Sequence, residues 1–216
     1  MNKYLAALSA ILLIGTTPHA LATSAVDLTV KGTITPLACT PMLSNSSLVD
    51  YGKISRQDLS VDKRTRLRDQ TLDLIIQCNA PARFALLMHD NRDGSAIVNS
   101  EIYYGLNHDR SHNKIGLYSL NFDPASTVVD DLTQVYRTDS TTGGKAWSSS
   151  NSQVIPIGAK SYLGFTDSAG SSVGPIAIRT LTSRVTVETV IAPTSELDLS
   201  TEVQLDGSAT LDVVYL

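Results

Sequence analysis

Leu72-Asp-Leu-Ile-Ile-Gln-Cys78, followed after a short gap by Phe84-Ala-Leu-Leu-Met88, decides the fold class. Leu72, Leu74 and Ile76 recur at every second residue up to Cys78, with Ile75 on the other face, and Phe84, Leu86 and Met88 repeat the pattern before His89. A side chain returns to the same side every second residue only in a strand, so both runs read as half-buried β-strands. The same period extends outward. Val26, Leu28 and Val30 alternate, with Ile34 and Leu37 leading on to Cys39. Further strands are expected at 115–122, 132–136, 154–157, 161–165, 176–178, 185–191, 202–205 and 209–216.

Between these runs lie turn-forming residues, namely Asp90-Asn-Arg-Asp-Gly94, 139–144, 167–174 and Ala192-Pro193. No stretch sustains a helical stripe; residues 60–74 offer one short helical turn at most. Many short strands with Gly, Asn and Ser-rich turns describe an all-β sandwich or barrel. The polar insertions near 90–113 and 137–153 belong at its ends, where loops tolerate length and carry recognition. There is no internal repeat and no linker that would divide the chain.

The first 22 residues have the layout of a secretory signal: Lys3, an apolar run from Tyr4 to Gly15, and Ala20-Leu21-Ala22 as a small-x-small cleavage site. Cleavage after Ala25 is the alternative. The apolar run is too short to span a bilayer comfortably. Removing residues 1–22 takes away one lysine and no acid, so the formal charge of -4 becomes -5 over the remaining 194 residues. That is one domain's length, and its mild acidity argues against nucleic acid or anionic lipid as partner. The one basic cluster, Lys63, Arg64, Arg66 and Arg68, is flanked by Asp62 and Asp69 and reads as a solvated loop or edge. The only two cysteines, Cys39 and Cys78, read as one disulfide in an oxidising compartment, worth about 3 to 4 kcal/mol if it acts by chain entropy. Two free thiols or a metal pair are the competing readings. A metal site needs more ligands than His19, His89, His108 and His112 supply at useful spacing.

Three segments taken together resemble a family. Val30-Lys-Gly-Thr-Ile-Thr-Pro-Leu-Ala-Cys39, Leu72-Asp-Leu-Ile-Ile-Gln-Cys78 and Gly207-Ser-Ala-Thr-Leu-Asp-Val-Val-Tyr215-Leu216 look like the three landmarks of chaperone-usher fimbrial (pilin) subunits. The fit is closest to a fimbrial-like branch of Gram-negative bacteria that also carries stretches like Asp90-Asn-Arg-Asp-Gly-Ser95 and Lys114-Ile-Gly-Leu-Tyr118. The resemblance covers essentially all of the mature chain. It implies an immunoglobulin-like β-sandwich that lacks its last strand and is completed by a donor strand. A periplasmic chaperone, then a neighbouring fimbrial subunit, would supply that strand at an outer-membrane usher. The protein would be exported through the periplasm to a fimbrium or the cell surface and contribute to attachment.

Carried onto this sequence, the resemblance implies residues 1–22 as signal, 23–31 as a short extension or donor strand, and 32–216 as the sandwich domain. Val26, Leu28 and Val30 would be the donor residues, with Asp27, Thr29 and Lys31 facing solvent. Ala209, Leu211, Val213 and Tyr215 would form the C-terminal strand of the groove, and Cys39 and Cys78 would join the first strand region to the end of a later one. Two features depart from the family: the extension before Lys31-Gly32 is eight residues if cleavage follows Ala22, and Val26 stands where many members place glycine. The position in a fibre, whether major, minor or terminal, stays open.

Catalytic chemistry has thin support. Ser95, Ser100 and Ser111 with His89, His108 or His112 and Asp90 or Asp109 are ordinary polar-loop residues. Gly170-Ser-Ser-Val-Gly174 spells a nucleophile-elbow pattern, but no histidine follows it and no βαβ context surrounds it. Asp90 to Gly94 departs from a calcium loop, since Gly94 is fifth and Arg92 sits at a ligand position, so an Asx-supported turn is the better reading. Trp147 reads as a loop anchor in preference to a sugar platform. The expectation is a non-enzymatic chain with no cofactor or metal. The alternative is a self-contained secreted sandwich that binds a glycan or other small ligand through its long loops.

Overall fold

The computed structural model describes residues 26–33 and 38–216. The expected signal segment, both candidate cleavage sites, Ile34 and Leu37 lie outside the described residues. Residues 36–216 form one compact unit. Residues 26–33, taken by themselves, carry no helix or strand, and Val26, Leu28 and Val30 are exposed.

Ten strands build the compact unit: β1 (Cys39–Leu43), β2 (Thr65–Arg66), β3 (Gln70–Asp90), β4 (Tyr104–Gly105), β5 (Gly116–Val129), β6 (Tyr136–Ser140), β7 (Ile155–Pro156), β8 (Tyr162–Thr166), β9 (Ala177–Ile191) and β10 (Ala209–Tyr215). Three short 3-10 turns complete the described elements, at Asn45–Ser47, Arg56–Asp58 and Thr194–Glu196. The chain is an all-β sandwich. Its two sheets share β3, which contains both runs that opened the sequence reading. The first half of β3 lies between β1 and β9, and β9 pairs in turn with β5 and β5 with β4. Its second half lies between β10 and β8, and β8 pairs with β6. The passage from one sheet to the other is the register break between Gln77 and Ala82.

Alternation along β3 survives that break. Leu72, Leu74, Ile76 and Cys78, then Ala82, Phe84, Leu86 and Met88, are all buried, and all but Leu72 form one apolar cluster with Phe122, Leu163, Phe165, Ile178 and Leu181. Cys39 and Cys78 are bonded, S–S 2.03 Å, at the first register pair of β1 and β3. The disulfide therefore staples the start of β1 to the point where β3 leaves the first sheet. Closing a loop of 39 residues contributes about 4 kcal/mol in the chain-entropy account.

Several strands differ from the sequence expectation. Residues 132–135 form no strand, and the strand follows at Tyr136–Ser140, where the polar residues had read as loop. Residues 177–178 and 185–191 belong to one strand of 15 residues, with Ile176 just before it; threonines and arginines on its solvent face hid the continuity. Residues 202–205 form no ladder, and 60–74 holds the small strand β2 with no helical turn.

Fully buried Arg137 explains why a polar stretch became a strand. Its Nη2 and Nε reach Asp139 at 2.5 and 3.0 Å, and Nη1 donates to the Ile155 carbonyl. Its main chain exchanges bonds of 2.9 and 3.0 Å with Asn151. The insertion that follows β6 is thereby folded back along the outer edge of β6. Arg137→Ala should strip that edge and leave Asp139 and the Ile155 carbonyl unpaired, at a cost of about 3 kcal/mol in urea unfolding. A loss under about 0.5 kcal/mol would show that Arg137 does not hold this edge.

Candidate functional site: a groove beside an open strand edge

β10 pairs with β3 alone, and its register fixes which of its main-chain groups are used. The Leu216 N–H donates to the Arg83 carbonyl at 3.0 Å, and the Ser208 carbonyl accepts from the Asn91 N–H at 3.0 Å. In an antiparallel ladder alternate residues face the partner. Val214, Asp212 and Thr210 therefore face β3 as well. Ala209, Leu211, Val213 and Tyr215 direct their N–H and C=O groups to the other side, where no strand lies among the described residues. The same odd-numbered residues carry the apolar side chains. Ala209, Leu211 and Val213 pack partly against the core.

A groove of about 440 Å³ runs beside this edge. One lip is Leu43 with Leu48, Val49 and Tyr51; the other is Leu205 to Ala209 with Leu211; Leu72, Leu120, Phe122, Val185 and Val187 lie at its base. The base is nearly closed, with Leu72 8% and Leu120 7% exposed. Unburied apolar area sits on the lip instead, at Leu48 (64%). Apolar lips next to unpaired main chain make a surface that favours strand addition.

The two lips meet at one end, where the Cys39 N–H donates to the Tyr215 hydroxyl at 2.6 Å. This joins the disulfide to the penultimate residue, a contact that sequence reading could not supply because it connects positions 176 apart. At the other end Gly207 is forced by close approach. A Cβ there would lie 2.9 Å from side-chain atoms of both Leu106 and Tyr118, so a larger residue would require one of these contacts to shift.

The Asp90 loop locks the start of β10. Asp90 accepts from the N–H groups of Arg92 (2.8 Å) and Gly105 (2.9 Å); Asn91 Nδ2 donates to Ser208 (2.9 Å) and Thr210 (3.1 Å); Arg92 forks onto Asp206. This is the Asx-supported turn of the sequence reading, and its side chains hold a strand end. Asp93 is paired with Lys160 at 3.0 Å. Among the described residues no group of three or more His, Cys, Asp or Glu is placed to hold a metal.

Other singled-out residues fall elsewhere. Gly170 to Gly174 lies in the β8–β9 connection, where the Ser171 N–H donates to Ser150 Oγ and Gly174 lies against Trp147. Half-buried Trp147 donates to the Gly144 carbonyl at 3.1 Å, as a loop anchor does. His89 pairs with Asp212 of β10 at 3.1 Å, and Arg66 is committed to Asp69 and Glu188.

Asp109 holds the segment that leads into the groove lip. Burial raises its pKa, but N–H donation from Asp198 (2.7 Å), Asn113 (2.8 Å) and Ser111 (2.9 Å) outweighs burial and keeps the carboxyl below the usual range. Asp198, bonded by Ser200 and Ser111, is lowered to about 2. Depressed folded-state values stabilise above the unfolded carboxylate range near pH 4, and that stability is lost as pH falls through the folded values. Asp109→Asn should therefore lower stability at pH 7 and shrink the drop between pH 7 and pH 2.5 in urea titrations. An unchanged drop would remove Asp109 from the account.

Residues 28–119 match the model of a family described as protein of unknown function (DUF1120). Two relatives of Escherichia coli (strain K12) align along most of the chain. Protein GltF is 26% identical over 232 residues, covering 91% of this chain and 91% of that protein. Uncharacterized protein YhcF is 22% identical over 219 residues, covering 88% and 90%.

Proposed function

We propose that this protein is a fimbrial or fimbrial-like structural subunit, exported through the periplasm, assembled by donor-strand complementation and contributing to surface attachment. The observation that carries the reading is the groove beside β10, with the main chain of Ala209, Leu211, Val213 and Tyr215 unpaired on that side. The strand order supports it. In one sheet β1, the first half of β3, β9 and β5 neighbour one another as A, B, E and D do in an immunoglobulin-like sandwich, and in the other the second half of β3 lies between β10 and β8, as C lies between F and its outer neighbour. Among the described residues no strand lies beyond β10, on the side where the groove runs.

Edge treatment elsewhere supports the same reading. The outer edge of β6 is covered by residues 148–151, and the outer edge of β5 is covered by β4 and β7. A chain that covers those edges and leaves an apolar one open is suited to receiving a strand. The donor in the periplasm would be a chaperone strand. In an assembly it would be the extension of a neighbouring subunit, with this chain's Val26, Leu28 and Val30 as the corresponding donor stripe.

The test is size-exclusion chromatography with mass analysis of the mature chain expressed in the periplasm, alone and with a matching chaperone. Recovery as a one-to-one complex that aggregates when the chaperone is omitted is the expected result. A stable folded monomer without any partner would contradict the open-groove reading. Deletion of residues 23–31 should leave chaperone binding intact, whereas a closed sandwich that used this segment would unfold.

A further inference from the structure

We propose that the hollow beside residues 198–206 binds a single-chain lipid with a zwitterionic phosphate headgroup; this is independent of the strand-addition reading above. The segment from Asp198 to Asp206 is a strap fixed at both ends. The Asp198 N–H donates to Asp109 at 2.7 Å and its carboxylate accepts from Ser111 Oγ at 2.7 Å. Asp206 accepts from Arg92 Nη2 and Asn107 Nδ2, both at 2.9 Å. Between these anchors Thr201 to Leu205 make no main-chain hydrogen bond among the described residues.

The strap and residues 49–59 form the two walls of a hollow of about 510 Å³, a size that suits a small molecule. Its floor is apolar, with Ile115 and Ile191 only 1% and 2% exposed. Half-buried Leu59, Leu197 and Leu199 carry the apolar lining up the walls. An acyl chain gains most from such a surface, because each methylene taken out of water adds to affinity. A polar ligand without a tail would leave the isoleucine floor uncovered.

Charge lies on the walls and differs between them. Lys53 and Arg56 are exposed on one wall, and neither side chain has a hydrogen-bond or ion-pair partner among the described residues. Glu202, exposed on the strap, has none either. The fourth charged lining residue, Asp50, already accepts the Gly52 N–H at 2.7 Å. A lysine point charge beside an arginine fork suits a phosphate, and a carboxylate suits an ammonium group. A ligand with a single charge, of either sign, would meet like charge on one wall. The headgroup that matches both walls carries a phosphate toward Lys53 and Arg56 and an ammonium toward Glu202, and the floor assigns it a tail.

The experiment is isothermal titration of the mature chain, in the form recovered from the periplasm, with four probes kept below their aggregation concentrations: octylphosphocholine, octyl phosphate, octyltrimethylammonium and tail-free phosphocholine. Octylphosphocholine should bind about fivefold more tightly than either singly charged octyl probe, and at least about a hundredfold more tightly than phosphocholine. Lys53→Glu combined with Arg56→Glu should weaken octyl phosphate about fivefold and strengthen octyltrimethylammonium, and Glu202→Lys should do the opposite. All three side chains are exposed, and a variant that had merely lost its fold would weaken both probes together. Phosphocholine binding as tightly as its octyl form would replace the lipid with a free phosphate ester and overturn the proposal. So would the absence of binding by the octyl probes, equal affinity for all three, or affinities that the charge reversals leave unchanged.

Discussion

Along one side of β10 the main chain has no partner among the described residues, and most of the sandwich can be understood as the means of keeping it so. A strand edge in water is tolerable, but here the same residues that offer N–H and C=O groups also turn Ala209, Leu211 and Val213 toward the core. An incoming strand would satisfy hydrogen bonds and bury apolar area in a single step, and the two contributions share one register. Neither could be gained by a partner that approached the surface in another way.

The rest of the sandwich holds the two lips apart. Cys39–Cys78 fixes one lip to β3, and the Tyr215 hydroxyl ties the same point to the end of the other lip. At the opposite end the Asp90 turn, the Arg92–Asp206 fork and the close fit of Gly207 against Tyr118 set where β10 begins. Asp109 then holds Asp198, from which the chain runs on toward the lip. Side chains that looked like metal ligands or catalytic groups in the sequence are spent on this scaffolding. A buried carboxylate is stabilised by main-chain N–H groups as well as by any ion, and such use is indistinguishable from ligation until the fold is known.

Sequence alone carried the fold class because β3 declares itself. Leu72, Leu74 and Ile76, then Phe84, Leu86 and Met88, keep one parity through a bend, and no helix can produce that pattern. The C-terminal strand was legible for the same reason, from Ala209 to Tyr215. Residues 202–205 read as a short strand by the same alternation but form no ladder, and β10 begins only after Asp206-Gly207, where Gly207 lies close against Leu106 and Tyr118. Arg137 was missed altogether. A buried arginine inside a polar run has no periodicity to betray it, and its partners Asn151 and Ile155 become neighbours only after the loop has folded back. The segment around Val26 is the converse case. Its alternation was plain in the sequence, yet alternation fixes which side chains share a face and leaves undetermined which molecule that face will meet.

Residue-resolved hydrogen exchange of β10, in the chaperone-bound chain and after a mild release of the chaperone, tests the central claim most directly. Amides of Val214, Asp212 and Thr210 face β3 and should be protected in both states, while those of Leu211, Val213 and Tyr215 should be protected only when a strand is bound beside them. Equal protection of odd and even amides in the free chain would mean that the edge is already paired, and the account of this protein as a strand acceptor would be wrong.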